Sequence, residues 1–407
     1  MALLGRKLLA VLGTSVVMVA ACTSTGASTA PSAAPTTAPT AASSAEPPAS
    51  ATADAGNPCG ITVNADGSLA PLEDGFPSKA FTIINIDDPG APDGIYALAL
   101  KAAIEDNKIT DQRVTVVDRP DFGTYGTWEG LEFMNGDANG KDGYIMAVAT
   151  IPGATVDLLA TDVVAALGAS IENLRIVLST EYVPYTMTSR KGAPWGNDIG
   201  AMIKYAQDHP GELKYISRGP GSGLDLAFSN YRQIAAKAAG YPEGQDGIPV
   251  TEVIGGSHQE INAVLGAGEG DIAMTLSDVG KQFYDDGAVE VLTFSGNAPA
   301  PAPFTVKTMA EFFGPELLPS DPWGQNRTLF LSTDVPECHQ AWLVQMVELA
   351  VATDGFKTQR NTVPGLTLQH LDQQQMWDLS QVAYDGACPI LKAAELLDPG
   401  VAAQNPC

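Results

Sequence analysis

The chain is poor in positive charge: 22 lysines and arginines stand against 47 aspartates and glutamates in 407 residues, a net charge of −25. That balance argues against nucleic acid or an anionic membrane surface as a partner, because both reward a cationic face. Histidine is scarce, and His209, His258, His339 and His370 lie scattered without metal-ligand spacing. None of the five cysteines forms a CxxC pair, which removes the usual zinc and dithiol motifs. Neither a metal nor a cofactor is expected. Catalytic spacing is missing as well: a hydrolase elbow around Ser222 would need glycines at Pro220 and Leu224, and a dinucleotide fingerprint would need one at Leu224. With no nucleophile and base at recognisable spacing, the chain is not expected to be an enzyme. Its apolar run at residues 8–19 is too short to span a bilayer.

That run nevertheless has meaning. Arg6 and Lys7 precede it and Ala20-Ala21-Cys22 close it, the basic start and small-residue end of an export signal. Val19-Ala20-Ala21-Cys22 resembles the lipobox of bacterial lipoproteins, which implies cleavage before Cys22 and a lipid on its sulfur. Residues 1–22 are thus expected to be a signal peptide. Residues 23–56, almost wholly Ser, Thr, Ala and Pro, cannot bury a core and read as a solvated tether. Folding should begin near Asn57. Past Cys22, an even set of four cysteines remains, Cys59, Cys338, Cys388 and Cys407, and in an exported chain that favours two disulfides of unspecified pairing.

About 350 residues remain, enough for two domains. Residues 81–105 organise them. Phe81, Thr82, Ile83, Ile84 and Ile86 form a strand suited to burial on both faces of a parallel sheet. Asp88-Pro89-Gly90 and Pro92-Asp93-Gly94 are turn chemistry, and Ile95, Leu98, Ala99 and Ala102 begin a helix. Its free N–H groups would face the loop, where a small polar ligand could be held. Further strands are expected at 113–117, 144–150, 174–178, 214–217, 250–254, 272–275, 289–294 and, last, 328–332. Helices are expected at 199–207, 224–239, 260–265, 337–352 and 372–384. The alternation indicates α/β architecture with parallel sheets. The loop Arg218-Gly219-Pro220-Gly221-Ser222-Gly223 repeats the strand, glycine loop and helix geometry of an anion cradle. His258 reads as a surface histidine, and Trp128, Trp323, Trp342 and Trp377 read as packing residues.

The order of motifs resembles the substrate-binding proteins of tripartite tricarboxylate transporters, the TctC or Bug family, from Phe76 to about Leu379. Phe76-Pro77-Ser78-Lys79 matches the family's opening Tyr-Pro-x-Lys, Pro89-Gly90 its Pro-Gly-Gly loop, and Arg119-Pro120 with Gly123 its Asn-Arg-Pro-Gly loop. Asp142-Gly143-Tyr144 and Pro210-Gly211-Glu212-Leu213 with Tyr215 follow in the family's order. The resemblance implies a type II periplasmic-binding-protein fold, two α/β domains with a double crossover hinge. Domain I would hold residues 75–184 and 289–395, domain II residues 185–288, and 396–407 would be a tail. It implies ligand contacts at Asp87, Asp88, Gly90, Ala91, Asp93, Tyr125, Ser217, Gly219, Gly221, Ser222, Gly223, Gly255, Gly256 and Ser257. The implied role is capture of a small organic metabolite by a monomer, lipid-anchored through Cys22 on the outer face of the membrane, for delivery to membrane transporter subunits. A sensor for a signalling partner, or an enzyme on the same fold, are the alternatives.

This chain departs from the family in its first loops. Asp87, Asp88, Asp93 and Asp121 stand near the expected cleft, and each close pair of carboxylates repels by about 1 to 4 kcal/mol at surface-like dielectric. A dicarboxylate or tricarboxylate is therefore disfavoured. A neutral or cationic metabolite, or a carboxylate that carries an amine, fits better. Asp93, beside a helix start, reads more as a cap than as a ligand group.

Overall fold

The computed structural model describes residues 57–407 except 88, 152, 160–172, 220, 221, 243–246, 257, 320, 394–396 and 398–407. The expected signal peptide and tether, Cys22, Asp88, Gly221, Ser257, Cys407 and nearly all of the expected tail lie outside the described residues, as does the side chain of Tyr125.

Eleven strands among the described residues, β1 (Phe81–Asn85), β2 (Val114–Asp118), β3 (Ile145–Ile151), β4 (Arg175–Val183), β5 (Tyr185–Arg190), β6 (Lys214–Ser217), β7 (Thr251–Ile254), β8 (Ile272–Leu276), β9 (Val289–Phe294), β10 (Gln325–Leu331) and β11 (Thr367–Leu371), form two sheets. Their orders are β11-β4-β10-β3-β1-β2 and β7-β6-β8-β5-β9. Parallel pairing holds for β1 with β2 and β3, and for β6 with β7 and β8. Both sheets are nevertheless mixed: β10 runs antiparallel to β3 and β4, and β5 antiparallel to β8 and β9. These are the strands on which the chain changes sheet, so their direction is set by the crossovers and not by local pattern.

The first crossover is a single residue, Pro184, between β4 and β5. Proline cannot donate to a ladder, which suits a point where one sheet must end and another begin. The return comes later than residue 289, the boundary expected from sequence. β9 still pairs with β5, and the chain rejoins the first sheet only at Gln325. A third link is the helix Gln373–Ala393. Met376 and Trp377 pack in the core of the first lobe, whereas Ala387, Cys388, Ile390 and Leu391 belong to that of the second.

Sequence did not show β5, whose Thr186, Thr188 and Ser189 are polar yet buried, nor the edge strand β11, which displaces β10 as the last strand. Residues 57–80 add a cover to the first lobe: Leu69, Leu72 and Phe76 enter its core, and Trp342 Nε1 donates to the Ala70 carbonyl at 2.9 Å. Cys59 is bonded to Cys338 across 279 residues, and Cys388 is disulfide-bonded as well. Trp128, Trp323 and Trp342 are all at most 2% exposed, as packing residues should be.

Candidate functional site

In both sheets the loops that follow the parallel strands converge on the boundary between the lobes, the usual ligand position in open α/β sheets. From the first lobe come the segment after β1, leading to the helix Pro92–Asp106, and the segment after β3, where the short helix Gly153–Val156 runs into a 3₁₀ turn at Asp157–Leu159. From the second lobe come the starts of the helices Gly223–Ala238, His258–Gly266 and Ser277–Asp285. The two sets meet. Arg218 Nη2 lies 4.0 Å from Asp87 Oδ1, and a Cβ placed on Gly223 would stand 3.9 Å from Gly153 Cα and 2.9 Å from the Tyr185 hydroxyl.

Asp93 departs from its expected role. The helix Pro92–Asp106 has no side-chain cap; Asp93 Oδ1 instead accepts from Arg327 Nε at 2.7 Å. Arg327 Nη1 donates to Glu181 Oε1 at 2.8 Å, and Arg360 donates to both Glu181 oxygens at 2.7 and 2.8 Å. Two carboxylates and two guanidinium groups thus form a neutral quartet. Arg327 and Glu181 are fully buried and Arg360 is 1% exposed. Burial pushes the Glu181 carboxyl up, yet the two arginines outweigh it and hold it below its ordinary range. One group is left over: Arg327 Nη2 is buried without a hydrogen-bond partner among the described residues. The guanidinium senses Asp278 of the second lobe, and His258 of that lobe senses it in turn, so the quartet borders the lobe boundary.

The Gly219–Gly223 loop is already occupied by a carboxylate of its own chain. Asp225 accepts from the Tyr215 hydroxyl at 2.7 Å, the Gly219 N–H at 2.9 Å and the Ser222 hydroxyl at 2.5 Å. Ser222 caps the helix through the Asp225 N–H, and Ser217 Oγ accepts from the Gly219 N–H at 2.9 Å. The cradle read from the glycines therefore has an internal anion, with burial raising the Asp225 carboxyl. Gly255 and Gly256 permit close packing: a Cβ on Gly255 would meet Ile261 at 2.8 Å, and one on Gly256 would meet Glu260 at 2.0 Å.

His258 is not on the surface. It is 4% exposed, with Nε2 3.1 Å from Arg218 Nη1 and Nδ1 3.3 Å from Thr275 Oγ1. Burial first, then Arg218, drives its pKa far down and keeps the ring neutral. Asp121 also departs from expectation, because it is turned outward in a two-oxygen ion pair with Arg119. Gly90, at φ +80°, shapes the exposed turn before Ala91, the residue that precedes the helix. Tyr125 closes the 3₁₀ turn Pro120–Tyr125.

Sequence reasoning missed Glu181, Arg327, Arg360, Asp157 and Asp225. Glu181 and Arg327 sit inside strands that also carry the apolar runs Ile176-Val177-Leu178 and Leu329-Phe330-Leu331, and that was the available signal: a charge in the middle of a buried strand needs a partner. Among the described residues, no group of His, Cys, Asp and Glu is arranged to hold a metal ion.

The architecture has counterparts among solved structures. R. palustris Rpa4515 with adipate matches at a TM-score of 0.63 and 16% identity, over 79% of this chain and 99% of that one. Periplasmic binding protein BugD matches at 0.62 and 14%, over 79% and 100%. MatC (Rpa3494) from Rhodopseudomonas palustris with bound malate matches at 0.61 and 18%, over 77% and 100%. No protein-family model matches the sequence, and no curated protein matches it at a significant level. At such identities the likeness is one of fold. This chain has the two-domain α/β architecture of type II periplasmic binding proteins, the fold it shares with those structures.

Proposed function

We propose that the protein is an extracytoplasmic solute-binding protein that closes two lobes on a small organic metabolite. The observation that carries this reading is the meeting of strand-end loops from both sheets, with Arg218 of one lobe facing Asp87 of the other at 4.0 Å. A surface of that kind, with polar groups converging from two bodies joined by a one-residue crossover, is built for ligand-biased closure. The structural counterparts support the reading, since Rpa4515 is described with adipate and MatC with malate. Delivery to membrane transporter subunits and anchorage through a lipid on Cys22 complete the proposal. The lipobox-like residues and the tether composition support the anchor. Gly90, Ala91, Ser222, Gly223 and the segments around Asp88, Gly221 and Ser257 remain the proposed ligand-facing loops.

The test is native mass spectrometry of the purified full chain, followed by release of any retained molecule. X-ray scattering is then recorded with and without that molecule. Retention of a metabolite and a smaller radius of gyration on rebinding are expected. A chain that retains nothing and binds no member of a metabolite library refutes the role.

A further inference from the structure

The sheet of the first lobe ends on β2, and this edge is only partly closed. The Phe81 N–H donates to the Arg113 carbonyl and the Arg119 N–H to the Asn85 carbonyl, each at 2.8 Å. In a parallel ladder a strand turns alternate residues toward its neighbour, so the odd-numbered residues of β2 face β1 and the even-numbered ones face outward. Val114 confirms this parity. Its N–H donates to Glu105 Oε1 at 2.9 Å, and its carbonyl accepts from Lys101 Nζ at 2.8 Å. Two side chains of the helix Pro92–Asp106 thus stand in for a missing strand at the first outward step. At the next, Val116, the described residues supply no such stand-in.

A protected edge is covered, short or charged along its length. Here the open step borders a groove of 790 Å³ between helix and strand, lined by Leu98, Lys101 and Glu105, by Val114 to Val116, and by residues 108 and 110–113. Leu98 is 52% exposed, and Ile95, one turn earlier, is 41% exposed. An apolar ridge therefore runs beside unpaired backbone.

Charge selects the occupant. The chain carries 22 basic against 47 acidic residues, yet the charged groups that line the groove are Lys101, Lys108 and Arg113 against Glu105 and Asp111. Lys101 and Glu105 neutralise each other, which leaves two cations against one carboxylate. Lys108 is also the one non-glycine residue with positive φ among the described residues, at +51°. Backbone strain of that kind persists where the surroundings fix a position, and it gathers at functional surfaces. A second copy of the chain would bring the same cationic excess to the same edge, which disfavours self-pairing.

We propose that the outer edge of β2 is a strand-addition site for an extended, acidic segment of another protein. The incoming strand pairs with the Val116 N–H and carbonyl, lies along the Leu98 ridge and sets its carboxylates against Lys108 and Arg113. The groove lies toward the starts of the parallel strands, whereas the loops that meet between the lobes follow their ends. The surface is thus distinct from the proposed solute site, and the inference stands or falls without the solute-binding reading.

The probes are end-blocked octapeptides in which valine alternates with glutamate, the same peptide with lysine for glutamate, and the glutamate peptide N-methylated throughout. Binding to the full chain is measured by isothermal titration calorimetry, and amide exchange along β2 by NMR. The glutamate peptide should bind and should weaken about tenfold between 50 and 500 mM salt. It should slow exchange of the Val116 and Asp118 amides while leaving Thr115 and Val117, which face β1, unaltered. Val116→Pro removes an outward N–H and no bond to β1, so it should weaken the peptide on the order of tenfold. Lys108→Glu combined with Arg113→Glu changes two exposed residues and should switch the preference to the lysine peptide. The inference is overturned by no binding of the glutamate peptide, by equal binding of the lysine or N-methylated peptide, or by unchanged exchange at Val116. An unaltered preference in the charge-reversed variant, or a dimer that forms through this edge and is lost in Val116→Pro, overturns it as well.

Discussion

Replacing Glu181 by Gln tests the buried quartet. The side chain is fully buried and accepts three charge-assisted hydrogen bonds, at 2.7, 2.8 and 2.8 Å, from two guanidinium groups. Glutamine is nearly isosteric, so packing is conserved and the charge alone is lost. Arg327 and Arg360 would then be opposed only by Asp93, leaving one uncompensated positive charge in the interior. Removing one partner of a buried pair costs about 3 to 5 kcal/mol, and that is the expected loss in urea unfolding followed by tryptophan fluorescence at pH 7. The loss carries a pH signature. The folded-state carboxyl lies below its ordinary value of 4.5, so its stabilisation is fully present above pH 4.5 and disappears as pH falls through the lowered value. The gap between wild type and Glu181→Gln should therefore be constant from pH 6 to 8 and close in acid. Adding Arg360→Gln should recover part of the loss, giving a coupling energy of about 2 kcal/mol in a double-mutant cycle. A cost below about 1 kcal/mol, or additive single effects, refutes the picture of a mutually dependent quartet.

Three further outcomes follow from other sites. Asp321 is 3% exposed and accepts from the Tyr231 hydroxyl and the Gly296 N–H, yet burial raises its carboxyl to about 6. Its proton-linked stability is present below pH 3.8 and lost as pH rises through 6, a cost of about 3 kcal/mol; Asp321→Asn should flatten the stability profile between pH 4 and 6, as followed by urea midpoints. Gly223→Val would crowd the Tyr185 hydroxyl and Gly153, so it should weaken binding of the retained metabolite at least tenfold and enlarge the scattering radius of the bound form. Replacing Cys59 and Cys338 together by Ser should cost about 2 to 4 kcal/mol in chemical denaturation, because their bond closes a loop across 279 residues; an unchanged midpoint would place the stability of residues 57–80 in packing alone.

Local chemistry in the chain was enough for most of the elements. The strand β6 at Lys214–Ser217 and the helix Glu337–Ala352 fall at the expected residues, because short apolar runs bounded by Gly and Pro leave few other conformations. The order of turn motifs, through the family resemblance it carries, implied the two-domain binding-protein fold that the structure has. Partner choice was beyond local pattern. Whether Asp93 caps a helix or neutralises Arg327 depends on β10 arriving 234 residues later, and whether the glycine loop is an open cradle depends on where the Asp225 rotamer points. The late return at Gln325 and the antiparallel β5 and β10 depend on which sheet edge is free when the chain crosses. Sequence period records which residues are buried. Which buried charges meet is decided only when both sheets are in place.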